Sequence, residues 1–87
     1  MKDYILRPSF SKNYKKLTAK LKSKFKERRD LFLVNTFHPL LSNHELHGEY
    51  EGCRSINITG DYRAIYFTKG NMVIFIRIGT HSELFKK

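Results

Sequence analysis

The sequence has no tryptophan, one cysteine and two prolines, and only eight acidic residues stand against seventeen basic ones. Each scarcity excludes something. A lone thiol, Cys53, closes no internal disulfide, which fits a reducing, cytoplasmic setting. No neighbour in the sequence favours its thiolate, so Cys53 reads as a packing residue. No stretch approaches the ~18 apolar residues of a membrane span. The first residues, MKDYILRPSF, hold a three-residue apolar run broken by charge, so neither a signal peptide nor a membrane anchor is expected. Metal-ligand spacing is missing too: His44 and His47 sit three apart in a loop, with no further pair of ligands at matching spacing. The five glycines form no phosphate-cradling loop. No metal and no small-molecule cofactor is expected.

What is present is enough for one small domain over residues 1–87. A chain of this length buries roughly 60–65% of its unfolded surface, so its core is modest. The content is 40% apolar and 14% aromatic, and seven Phe and five Tyr supply the large side chains. The net charge of +9 is uneven: residues 1–30 carry eleven Lys/Arg against three Asp/Glu, residues 31–87 six against five. A field of this asymmetry points to a polyanionic partner. Nucleic acid comes first, then a membrane surface, then an acidic protein. A merely solvated basic helix face is the plain alternative.

The segment DYILRP predicts a short strand stopped by Pro8. Phe10, Tyr14, Leu17 and Leu21 then recur at helical spacing, with Ser9 or Ser11 as N-cap and Lys12, Lys15, Lys16 and Lys20 largely opposite. A second helix restarts or continues near Ser23 and ends near Thr36, giving a two-helix hairpin. HPLLSNHELHGEYEG reads as a loop with apolar anchors at Leu40, Leu41 and Leu46. From Cys53 the period changes to two: CRSINIT, YRAIYFT and MVIFIRI predict three strands, with turns at Gly60-Asp61 and at KGN. The expected class is α+β, with the first strand and the helical hairpin packed on a twisted, mainly antiparallel four-stranded sheet. Its second face is expected to be open.

Polar residues on or beside the last three strands are the candidates for chemistry. Strict alternation puts Arg63 with Ile65 and Phe67, and Arg77 with Val73 and Phe75. An arginine among apolar residues is either paired with a carboxylate such as Asp61 or aimed at a ligand. Taken singly, Asp61 is a turn residue, Arg54 and Arg77 are edge or ion-pair residues, and His44 and His47 are loop polar groups. Leu84 and Phe85 are then plugs that dock the terminus. His81, after a strand and a glycine, brings the side chain best suited to proton transfer near neutral pH.

Together these residues go further. HELHGEYEGCRSINITGDYRAIY, followed by RIGTHSELF, resembles the RelE/ParE superfamily of type II toxins, and within it the YafQ-like mRNA interferases. The likeness covers Asn43 to Phe85, about half of the chain; the first half agrees in layout only. It implies the RelE-like fold and an endoribonuclease that cuts mRNA in the ribosomal A site. In such enzymes the ribose 2′-hydroxyl attacks the adjacent phosphate, which calls for a base, an acid and positive charge. By matching position, His81 is implied as general acid, with Asp61 or His44 as base or its orienting group. Phe85 is implied to stack on a base, and Arg63 to hold phosphate as in the related YoeB and HigB branches. Arg54 and Arg77 are further phosphate candidates, and Lys15, Lys16 and Lys24 would follow ribosomal RNA. Asn57 stands where YafQ-like enzymes carry another histidine, and an amide exchanges no proton near neutral pH. The implied partners are mRNA, the ribosome and an acidic antitoxin. Two other readings remain at this point: a ParE-like toxin of DNA gyrase without nuclease activity, and a plain RNA-binding domain.

Overall fold

Pro8 ends one element and begins the next. In the computed structural model, which describes residues 3–85, strand β1 (Asp3–Leu6) gives way at Arg7 to helix α1 (Pro8–Lys15). Proline suits the first helical turn because the N–H it lacks would have no partner there. Helix α1 stops at Lys16, and α2 (Ala19–Val34) starts after Thr18, whose hydroxyl accepts the Leu21 N–H at 3.2 Å. The break therefore falls at Leu17–Thr18, not near Ser23, and α2 runs through Ser23 without interruption.

The sheet has five strands rather than four, in the order β1-β5-β4-β3-β2. They are β2 (His44–Glu45), β3 (Arg54–Thr59), β4 (Tyr62–Lys69) and β5 (Met72–Thr80). The added strand, β2, lies inside the expected loop, and two residues are too few to carry a period. Strand β1 pairs parallel with β5 and every other pairing is antiparallel, as expected for a mainly antiparallel sheet. The β3–β4 and β4–β5 turns place Gly60 and Gly70 at φ of 50° and 61°, where a Cβ would be strained.

The helices cover one face of the sheet. Phe10, Phe25 and Phe32 meet Ile56, Ile58, Ala64, Tyr66, Val73, Phe75 and Ile78, all buried. Phe75 is the hub: the rings of Tyr4, Phe10, Phe25, Phe32 and Tyr66 lie 5.4–6.2 Å from it. These rings supply the bulk that tryptophan would otherwise provide, each burial stabilising by about 1.5–3 kcal/mol.

The second face is not left open. A short helix, α3 (His81–Phe85), folds back on it, and Leu84 joins Ile65 and Leu46 in a smaller buried cluster edged by Tyr50, Cys53, Ile76 and Phe85. Burial pushes the Cys53 thiol up, which keeps it a packing residue rather than a nucleophile.

Candidate functional site

The pairing of β4 with β5 decides which side chains share the second face. Arg63 opposes Gly79 and Ile65 opposes Arg77, but Tyr66 opposes Phe75, so Ile76 is an extra residue. This bulge breaks the alternation. Strict period two groups Arg77 with Val73 and Phe75, in the aromatic core; the bulge turns it to the face of Ile65 instead. A guanidinium among those rings would have been costly to desolvate. Arg77 now lies where β5 has run past β1, whose last pairing is with Phe75. There its Nε donates to Asn13 Oδ1 at 3.0 Å and its Nη1 to the Tyr50 hydroxyl at 3.3 Å.

Two rows of cross-strand partners follow, with neighbouring strands about 4.8 Å apart. One runs His44, Ser55, Ile65, Arg77; the next runs Asn57, Arg63, Gly79. Arg63 Nη1 donates to the hydroxyl of fully buried Ser55 at 3.3 Å. Asn57 Oδ1, beside Arg63, is buried and has no hydrogen-bond partner among the described residues. His44 is exposed, with its Nδ1 2.9 Å from the Ser42 carbonyl.

The tail completes the face. Thr80 and Glu83 cap α3 reciprocally: Glu83 Oε1 accepts the Thr80 N–H at 2.9 Å, and Thr80 Oγ1 accepts the Glu83 N–H at 3.2 Å. The turn back onto the sheet needs Gly79, since a Cβ there would sit 2.8 Å from Glu83 Oε1. The His81 N–H donates to the Asp61 carbonyl at 3.1 Å, which ties the tail to the β3–β4 turn. One helical turn on, Phe85 stands 4.8 Å from the His81 ring and 5.8 Å, edge-on, from Tyr50. Tyr50 thus touches both Phe85 and Arg77.

His44, Asn57, Asp61, Arg63, Arg77, His81 and Phe85 are accordingly gathered on one face or at its rim. Arg54 is not. Its Nε donates to Asn43 Oδ1 at 2.7 Å and its guanidinium lies 5.3 Å over Phe37. Its cross-strand partner is Tyr66, on the helix side, where burial pushes the phenol up. Lys24 is also apart, paired at 2.9 Å with Glu27, whose carboxyl this bond holds below its ordinary value. Lys15 and Lys16 are exposed at the end of α1, and Lys16 shares a cleft with Asn13, Arg77, Gly79 and Glu83. Asn13, Tyr50, Ser55, Thr80 and Glu83 escaped sequence reasoning. The Thr-x-x-Glu spacing could have revealed the cap; nothing in the sequence marks the other three.

Among the described residues, no three His, Cys, Asp or Glu side chains gather to hold a metal ion. No helix among them is long and apolar enough to cross a membrane. The face offers imidazole and carboxylate for proton transfer, and guanidinium for a phosphate.

Residues 3–86 match the family described as "Bacterial toxin of type II toxin-antitoxin system, YafQ". A sequence search finds no match among curated proteins. Among solved structures, YafQ of E. coli is 27% identical, with a TM-score of 0.81 over 98% of this chain and 99% of that one. In the E. coli DinJ–YafQ toxin–antitoxin complex the corresponding values are 28%, 0.78, 97% and 97%. The RelBE2 toxin–antitoxin complex of Mycobacterium tuberculosis shares the fold, at 17% identity and a TM-score of 0.74 over 92% of this chain and 98% of that one.

Proposed function

Because the chain belongs to the YafQ family of bacterial type II toxins, we propose that it is an endoribonuclease that cuts mRNA in the ribosomal A site and is neutralised by a cognate antitoxin. One observation carries this reading. The β4–β5 register and the His81–Asp61 backbone bond bring His81, Asp61, Arg63 and Phe85 to one corner of the face opposite the long helices.

The ribose 2′-oxygen attacks the adjacent phosphorus as Asp61 takes its proton. The P–O5′ bond breaks and His81 protonates the departing O5′, leaving a 2′,3′-cyclic phosphate. Arg63, with Arg77 further along the face, offsets the charge that grows on the phosphate oxygens. Phe85 takes a base on its ring, and Tyr50 and His81 fix that ring in place. His44, in the outer row, is a second candidate to activate or orient the 2′-hydroxyl. Asn57 contributes hydrogen bonding only, because an amide exchanges no proton near neutral pH. Lys15 and Lys16, with Lys24 and Arg54, hold RNA away from the reacting phosphate.

The test is His81→Ala. The expected result is loss of mRNA cleavage and of growth arrest, with the melting temperature unchanged because His81 is exposed. Retained cleavage would remove His81 from the mechanism. Inhibition of gyrase supercoiling by the wild type, without RNA cleavage, would favour the ParE-like alternative.

A further inference from the structure

Arg77 is held in place without being neutralised. Its Nε donates to Asn13 Oδ1 at 3.0 Å and its Nη1 to the Tyr50 hydroxyl at 3.3 Å, and both partners are uncharged. Among the described residues no ion pair includes Arg77. One carboxylate, Glu83, lines the cleft that Arg77 shares with Asn13 and Lys16, but its Oε1 accepts the Thr80 N–H at 2.9 Å. A half-buried arginine with a purely structural task is ordinarily matched by a carboxylate. Here the guanidinium is fixed in direction while its charge stays uncompensated. No hydrogen bond among the described residues takes up its Nη2.

The two partners are themselves anchored. Asn13 lies in the last turn of α1, and its Oδ1 also accepts the Ile78 N–H at 3.4 Å, which ties it to β5 beside Arg77. Tyr50 ends a short turn, Gly48–Tyr50, and its carbonyl accepts the Cys53 N–H at 2.9 Å. Its half-buried ring packs on the Leu46, Ile65 and Leu84 cluster and stands edge-on to Phe85 at 5.8 Å. A tyrosine seated in this way presents its hydroxyl from a rigid body with little freedom left to lose.

We propose that Tyr50, with Asn13, is a positioning residue of the cleavage reaction: the two aim Arg77 so that its unused N–H groups meet the RNA phosphate. The proposal rests on the endoribonuclease reading above. Neither residue touches the reacting atoms; both act through Arg77. A free arginine would have to give up its rotation as charge grows on the phosphate, and the two hydrogen bonds remove that freedom beforehand. A carboxylate partner would hold the guanidinium as firmly but would cancel the charge that the phosphate needs. Neutral acceptors hold it and leave the charge to the substrate.

The experiment measures single-turnover cleavage by the full chain on ribosomes programmed with a defined mRNA, over a range of ribosome concentrations. Tyr50→Phe keeps the ring against Phe85 and removes only the hydroxyl. It is expected to lower the saturating rate by about fivefold or more. The half-saturating ribosome concentration and the melting temperature are expected to stay at wild-type values. Asn13→Ala is expected to act in the same direction. In an Arg77→Ala background neither substitution is expected to lower the rate further, because the group through which both act is gone. Loss by the same factor in both backgrounds overturns the proposal, since the hydroxyl would then serve the fold or another group. A wild-type rate in Tyr50→Phe also overturns it. No cleavage by the wild-type protein overturns the endoribonuclease reading and the proposal together, an outcome distinct from any effect of the variants.

Discussion

His81 is held through its backbone, by the Asp61 carbonyl, and its ring rests against Phe85. Its imidazole is thereby exposed yet confined to one corner of the sheet face. Arg63 is positioned differently, by the buried Ser55 hydroxyl and by its place opposite Gly79. If Arg63 neutralises the reacting phosphate, Arg63→Ala should lower the single-turnover cleavage rate by about 100-fold or more. Arg63→Lys should recover only part of that, because a point charge does not replace a fork of donors. A rate for Arg63→Ala close to wild type would remove it from the phosphate site. Of these residues, His81, Asp61, Arg63, His44 and Phe85 were singled out by the family resemblance, position by position; spacing alone made them turn, loop and edge residues. Arg77 was misplaced for a physical reason: period-two reading has no way to see an inserted Ile76, and one inserted residue reverses the face. Tyr50 and Asn13 were invisible, since their contacts with Arg77 span 27 and 64 residues of sequence.

The elements with the strongest periods were the most legible. Strands β3, β4 and β5 follow from their alternation, and the helical stripe from Phe10 to Leu21 follows from its spacing. That same stripe hid the break at Thr18, because an apolar series can continue across a kink that only the cap marks. Thr18→Ala should therefore cost about 1 kcal/mol of stability, read as a lower urea midpoint. An unchanged midpoint would mean that tertiary packing alone sets the start of α2. The tail makes a sharper test of an element serving a site. Glu83→Ala removes the α3 cap and should lower cleavage more than stability, since α3 is short but carries His81 and Phe85. Glu83→Gln keeps an acceptor for the Thr80 N–H and should recover most of the activity. Equal loss in both variants would point to the charge of Glu83 rather than its cap.

On the scale of the whole molecule, one sheet separates two tasks. Its helix side holds the aromatic core; its other face holds the groups suited to RNA chemistry. The core depends on Phe75, and Phe75→Ala should cost about 3–5 kcal/mol, enough to unfold much of a domain of ordinary stability at 37 °C. The basic surface should make association with ribosomes steeply salt-dependent, and replacing Lys15 and Lys16 by Ala should flatten that slope by about one unit per residue. The most direct measurement is made on ribosomes programmed with a defined mRNA. Wild-type protein is added, the fragments are mapped to the codon in the A site, and the chemistry of their 3′ ends is determined. The proposed function predicts cleavage confined to that codon, 2′,3′-cyclic phosphate ends or the 3′-phosphates they hydrolyse to, and no cleavage by His81→Ala. Intact mRNA after incubation with the wild-type protein would contradict it.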